Sequence, residues 1–162
     1  MNRRSFLAGG ISLAAVGAAI GFSRSGVNAA ESDAFEVMRS EAEWKELLSP
    51  AQFAVLRKEA TERAWTSPLL EEKRKGVYTC GGCELPLYAS ETKFDSGTGW
   101  PSFFAALDNA VGTTTDYKLL LPRTEVHCRR CGGHLGHIFN DGPPPTGKRH
   151  CINGLAMGFV AA

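Results

Sequence analysis

Cys80-Gly81-Gly82-Cys83 and its counterpart Cys128-Arg129-Arg130-Cys131 decide how this chain folds. Each Cys-x-x-Cys doublet sets two sulfurs on one tight turn, where backbone amides can face the thiolates. Two such turns make a closed four-sulfur shell with no open position, the donor set of a structural rather than a catalytic zinc. Iron fits the same shell. A thioredoxin-like redox pair is the competing reading of a single doublet, but it requires a βαβ setting and neither doublet has one. The 44 residues between Cys83 and Cys128 exceed what a zinc ribbon needs. The metal is therefore expected to staple two hairpins of a larger sheet.

The sequence around the doublets supports that expectation. Val77 to Thr79, Leu85 to Ala89, Tyr117 to Leu121 and Glu125 to His127 are short strand-like runs, punctuated by Gly and Pro. No long helical period appears between Cys83 and Cys151. Upstream the pattern differs. Ser40-x-x-Glu43 and Ser49-Pro50-x-Gln52 are capping boxes, followed by Trp44, Leu47 and Leu48 and by Phe53 and Leu56 at helical spacing. The predicted fold is mainly β, of the α+β class. Its antiparallel sheets are stapled by a structural zinc, and short N-terminal helices pack against them. Residues 30–75 form a helical arm whose charged end, Glu71 to Lys75, is a solvated connector. Residues 76–162 form the β domain.

Residues 1–29 read as an address. Arg3-Arg4 precedes a Gly/Ala-rich apolar stretch from Ile11 to Phe22, and Val27-Asn28-Ala29 resembles a cleavage site. Adjacent arginines before a weakly hydrophobic core fit a twin-arginine signal and export to a bacterial periplasm. The Gly and Ala content makes the stretch a poor lipid-facing helix, so no membrane anchor is expected after cleavage. The leader holds three arginines and no acid, so its removal turns the formal net charge of +1 into −2. No basic patch points to nucleic acid. Monomer is the default expectation.

Pairing four cysteines leaves Cys151 alone among the five. It lies in Lys148-Arg149-His150-Cys151-Ile152-Asn153, downstream of His134 and His137. A thiol near cations and imidazoles has the setting of a nucleophile. On a strand, Arg149, Cys151 and Asn153 share one face, with His150 and Ile152 on the other. Two readings follow from these residues alone. One is a zinc-stabilised binding module with an incidental cysteine. The other is a cysteine hydrolase using Cys151, His137 and Asn153 as a triad.

Longer motifs go further. Lys93-Phe94-Asp95-Ser96-Gly97-Thr98-Gly99-Trp100-Pro101-Ser102-Phe103, Cys131-Gly-Gly-His134-Leu-Gly-His137-Ile-Phe139-Asn-Asp141-Gly-Pro143 and Arg149-His150-Cys151-Ile152-Asn153 resemble the signatures of the B-type methionine-R-sulfoxide reductases. Glu43-Trp44, Leu48-Ser49, Val55-Leu56-Arg57 and Thr61-Glu62 resemble that family's helical opening. The similarity runs from about Ser40 to Phe159, and the A-type signature Gly-Cys-Phe-Trp is absent.

The resemblance implies reduction of methionine-R-sulfoxide in oxidised proteins, and also of the free amino acid, with Cys151 as nucleophile. It implies His137 and His134 near the sulfoxide oxygen as proton donors. Asn153 and Arg149 flank the thiol, and Trp100 and Phe139 wall the substrate methyl group. Cys80, Cys83, Cys128 and Cys131 hold the zinc. His127 and His150 receive no role beyond structure. Many members of that family carry a recycling cysteine where this chain has Thr98, which cannot form a disulfide. A sulfenic acid on Cys151 would then require an outside reductant, either a thioredoxin-family protein or a low-molecular-weight thiol.

Overall fold

The computed structural model describes residues 35–162; the leader read over residues 1–29 lies outside the described residues. Nine strands follow one another from Gly76. They are β1 (Gly76–Cys80), β2 (Pro86–Ala89), β3 (Lys93–Phe94), β4 (Ser102–Phe103), β5 (Val111–Asp116), β6 (Arg123–Cys128), β7 (His134–Phe139), β8 (Arg149–Ile152) and β9 (Met157–Ala161). They pair into a three-stranded sheet, β2-β1-β9, and a six-stranded sheet, β3-β4-β8-β7-β6-β5. Every pairing is antiparallel.

Burial alternates along β1, β6 and β8 with the period of two that a pleated strand imposes. Tyr78 and Cys80 point inward from β1, Val126 and Cys128 from β6, and His150 and Ile152 from β8. The core lies between the sheets. Tyr88 of β2 stacks on Phe103 of β4 with ring centroids 4.4 Å apart. Tyr78 of β1 meets the same Phe103 edge-on at 4.9 Å. Edge-on and offset-stacked aromatic pairs of this kind join two layers through few, large side chains.

Both predicted capping boxes form. Ser40 caps α1 (Glu41–Leu47) and Ser49 caps α2 (Pro50–Lys58), each with the reciprocal bond from the third helical residue. Trp44, Leu48, Phe53, Val55 and Leu56 are buried in the common core, so the arm is part of the domain rather than a cover laid over it. The arm is less helical than its sequence suggests. Glu59 takes a left-handed conformation (φ 56°) and ends α2, and only a single 3-10 turn, Pro68–Leu70, follows. The expected solvated connector is partly anchored, because the Glu72 carbonyl accepts hydrogen bonds from Tyr78 Oη and Lys93 Nζ.

Two further expectations need correction. Tyr117 to Leu121 is a turn, not a strand; the strand lies just before it, at Val111–Asp116. The β-branched threonines of Val111-Gly-Thr-Thr-Thr-Asp116 pair along the whole of β6 as an edge strand. The cysteine doublets also do not staple one sheet. Cys80 ends β1 and Cys83 lies in the β1–β2 turn, whereas Cys128 ends β6 and Cys131 lies in the β6–β7 turn. Their cluster ties the small sheet to the large one.

Candidate functional site

The four cysteines converge as the spacing required. All four sulfurs lie within 4.8 Å of one another, with Cys80 Sγ 3.6 Å from Cys131 Sγ and Cys83 Sγ 3.5 Å from Cys128 Sγ. A tetrahedron with metal–sulfur bonds of about 2.3 Å has edges of about 3.8 Å, so the cluster has the dimensions of a tetrathiolate metal shell. None of the four sulfurs is in a disulfide. The amide of Gly82 donates to Cys80 Sγ at 3.4 Å, a contact that stabilises a thiolate ligand.

Cys151 sits on β8, flanked on both sides. Across the sheet, Phe94 pairs with Ser102, Ser102 with Cys151, Cys151 with His137, His137 with Glu125, and Glu125 with Thr114. Directly opposed residues in antiparallel strands project from the same face. The register alone therefore sets thiol, imidazole and carboxylate in one transverse row. Gly136 makes the β7–β8 approach feasible, since a Cβ there would lie 2.1 Å from the Cys151 carbonyl oxygen.

Each imidazole has a carboxylate partner that the sequence did not reveal. His137 Nε2 bonds Asp116 Oδ2 at 2.8 Å, which leaves Nδ1 as its free nitrogen. His134 Nδ1 bonds Glu125 Oε1 at 2.8 Å. Asp116 also pairs with Arg123 Nη2 at 2.6 Å and accepts from the Lys118 amide. The Lys118 amide and His137 hold its carboxyl well below the usual carboxylate range. Burial would raise Glu125, yet the bonds from His127, His134 and Thr114 prevail and keep it ionised. Burial is the largest influence on His137 and lowers its pKa, with Asp116 opposing and the Arg123 charge reinforcing the shift.

Cys151, His137, Trp100 and Phe139 line one cleft of about 140 Å³, together with Thr61, Arg123, Gly136 and Asn153. Trp100 is held by its indole N–H, which donates to the Glu62 carbonyl at 2.9 Å, so the ring remains as an apolar wall. The Arg149 guanidinium lies over the Phe139 ring at 4.4 Å and is fixed by a two-pronged ion pair with Asp141. Its pKa is raised by the Asp141 hydrogen bond against the opposing effect of burial.

Some expected roles change. His134 is only 3% exposed and stands behind His137, with ring centroids 5.5 Å apart, rather than at the cleft surface. Asn153 lines the cleft, but its amide is committed to the scaffold. Oδ1 accepts from the Glu62 amide at 2.8 Å and Nδ2 donates to the Leu135 carbonyl at 2.9 Å. Asn153 thus positions the Thr61–Glu62 segment, and His137 is oriented by Asp116 instead. No Cys151–His137–Asn153 hydrolase triad is assembled. Asp116, Glu125 and Arg123 are neighbours of the imidazoles and the cleft that sequence reasoning missed, and Thr61 and Glu62 carried only a motif match with no role assigned. His150 faces away from the cleft, with Nδ1 3.2 Å from the Tyr88 hydroxyl.

Comparison with known proteins gives one consistent result. The SelR domain matches residues 48–161. The chain is 51% identical over 124 residues to the peptide methionine sulfoxide reductase MsrB of Methanosarcina barkeri, covering 76% of this chain and 87% of that protein. It is 50% identical over 125 residues to the MsrB of Agrobacterium fabrum, covering 76% and 93% respectively. The MsrB of Leptospira interrogans is 46% identical over 126 residues, covering 77% and 96%. With the thiol–imidazole row, the aromatic wall and the four-cysteine cluster all inside the matched region, the chain belongs to the SelR-domain family of B-type peptide methionine sulfoxide reductases.

Proposed function

We propose that this chain reduces methionine-R-sulfoxide in proteins to methionine, with Cys151 as the nucleophile. The observation that carries this reading is the thiol of Cys151 set beside His137 in a cleft walled by Trp100 and Phe139. The Cys151 sulfur attacks the sulfoxide sulfur and the oxygen passes to Cys151. His137, through the nitrogen not bonded to Asp116, delivers the proton that the developing oxyanion needs. Methionine leaves reduced by two electrons, and Cys151 is left as a sulfenic acid, oxidised by two. Arg149, clamped by Asp141, sets a fixed positive charge beside the thiol. Trp100 and Phe139 receive the methyl group without offering it a hydrogen bond.

An outside thiol then condenses with the sulfenic acid, releasing water, and a second thiol displaces the mixed disulfide to restore Cys151. Two observations support external recycling. Thr98, which carries no thiol, stands 3.8 Å from the Cys151 sulfur, and the other four cysteines are gathered in the metal cluster. We assign zinc to that cluster on its donor set and its sulfur–sulfur spacing. The metal ties the two sheets together and shares no ligand with the cleft. The Arg3-Arg4 leader supports a periplasmic site of action.

The test is turnover of separate R and S epimers of a peptide methionine sulfoxide with excess dithiothreitol, for wild type and Cys151→Ser. The reading requires R-only turnover that is abolished in the variant. Equal turnover of the epimers, or activity that survives in Cys151→Ser, would remove it. Elemental analysis of the purified protein settles zinc against iron.

A further inference from the structure

The turn between β5 and β6, Tyr117-Lys118-Leu119-Leu120-Leu121-Pro122, has its polarity inverted. The charged side chain turns back onto the domain, where Lys118 Nζ ion-pairs with Glu59 at the end of α2. The apolar side chains face water, with Tyr117 75%, Leu119 60%, Leu120 103% and Leu121 77% exposed. Four large apolar side chains within five residues and left in solvent are not what folding alone selects, and such patches mark interaction sites. The turn is also held in place, because the Lys118 amide donates to Asp116 Oδ1 at 2.8 Å.

Its base belongs to the site already described. Asp116 bonds His137, Arg123 lines the cleft with Cys151, and the two pair with each other across the hairpin. A cleft of about 140 Å³ admits the reacting end of one side chain and leaves the polypeptide on either side of it at the rim. We propose that this turn is a docking lip for the substrate polypeptide, gripping apolar residues that flank the methionine sulfoxide. The inference rests on the reductase reading and adds the substrate class. That class is an extended or partly unfolded segment whose neighbours of the oxidised methionine are themselves apolar. Such segments are what methionine oxidation generates, because a polar sulfoxide in a core opens the packing around it. A lipid surface is the poorer partner. Both cations of the lip, Lys118 and Arg123, are already ion-paired, so no free charge addresses an anionic headgroup.

The experiment compares the full chain with its Leu120→Ser/Leu121→Ser variant. Three R-sulfoxide substrates are used: a peptide with leucine and valine flanking the oxidised methionine, the same peptide with serine and glycine flanks, and N-acetyl-methionine sulfoxide amide. The lip predicts a loss of about tenfold in kcat/KM on the apolar peptide, carried by KM, with the other two substrates unchanged. No loss on the apolar peptide, or an equal loss on all three, overturns the lip while wild-type turnover leaves the reductase reading standing. A wild type inactive on all three substrates overturns the reductase reading and the lip with it. Wild type that co-sediments with phosphatidylglycerol vesicles, or self-associates, where the variant does not, assigns the surface to a membrane or a second copy and likewise overturns the proposal.

Discussion

Thr98 Oγ1 stands 3.8 Å from Cys151 Sγ and continues into a chain of hydroxyls, to Ser96 Oγ at 2.8 Å and from there to Ser102 Oγ at 2.7 Å. Position 98 is therefore within side-chain reach of the nucleophile. On the proposed chemistry, the residue there determines whether a sulfenic acid on Cys151 has an internal partner. Thr98→Cys places a thiol where it can attack a sulfenic acid on Cys151 and release water. After one turnover without added thiol, the variant should lose two hydrogens in intact mass and become refractory to sulfenic-acid reagents. Wild type under the same conditions should carry one added oxygen. A reagent-reactive sulfenic acid persisting in Thr98→Cys would show that the two side chains cannot meet.

A second prediction concerns the proton. Burial lowers the pKa of His137, Asp116 opposes that shift and the Arg123 charge reinforces it, and the balance falls below the ordinary histidine value. The imidazolium proposed to donate to the sulfoxide oxygen forms only as pH falls through this depressed pKa, and a proton-limited rate should rise toward acid. Asp116→Asn removes the raising influence and leaves the Arg123 charge without its partner. The rising limb of the single-turnover rate should move to lower pH, with the rate at neutral pH reduced. A variant whose profile keeps its midpoint would show that Asp116 acts on stability alone.

His150, on the opposite face of β8 from Cys151, predicts a pH dependence of folding rather than of rate. Burial is the main influence and Lys148 the lesser one, and together they lower its pKa from 6.5 to about 4. The buried ring is neutral, so the unfolded chain binds the extra proton between those two values. Stability is complete above about pH 6.5 and declines as pH falls toward 4, by at most about 3 kcal/mol. Denaturant midpoints at a series of pH values measure the slope. His150→Phe should flatten it while lowering stability at every pH, since the buried Tyr88 hydroxyl loses its partner. An unchanged slope in His150→Phe would assign the dependence to other groups.

The parts of this site legible in the sequence were those coded locally. Cysteine doublets state their own turn, a capping box states a helix start, and period two places Arg149 with Cys151 and against His150. The unreadable parts depend on register. Nothing in the run from Val111 to Arg123 says that Asp116 will face His137, because that requires knowing which residue of β5 opposes which of β6 and β7. The same gap produced the one misplaced strand. Tyr117 to Leu121 has the apolar content of a strand, whereas the true strand is polar Gly-Thr-Thr-Thr, paired along one edge. The segment after α2 is illegible for a different reason. Glu59 is a left-handed helix end without a glycine to announce it, and the chain beyond it brings Thr61 into the cleft wall and Glu62 against Trp100 and Asn153.

The last prediction concerns the metal. Cys80 and Cys83 belong to the small sheet, Cys128 and Cys131 to the large one, and among the described residues they form the cysteine cluster able to hold an ion. β7, which carries His134 and His137, begins three residues after Cys131. Loss of the ion should free the β6–β7 turn and disorder the imidazoles together with the sheet contact. Folding free energy and metal affinity are coupled in such shells, so extraction should cost at least several kcal/mol and markedly lower the unfolding temperature. Thiol titration gives the count. The native protein should expose Cys151 alone to a disulfide reagent, and a mercurial with a chromogenic chelator should release one metal ion and bring the reactive total to five. Five reactive thiols in untreated, active protein would mean that the two sheets hold together without the metal.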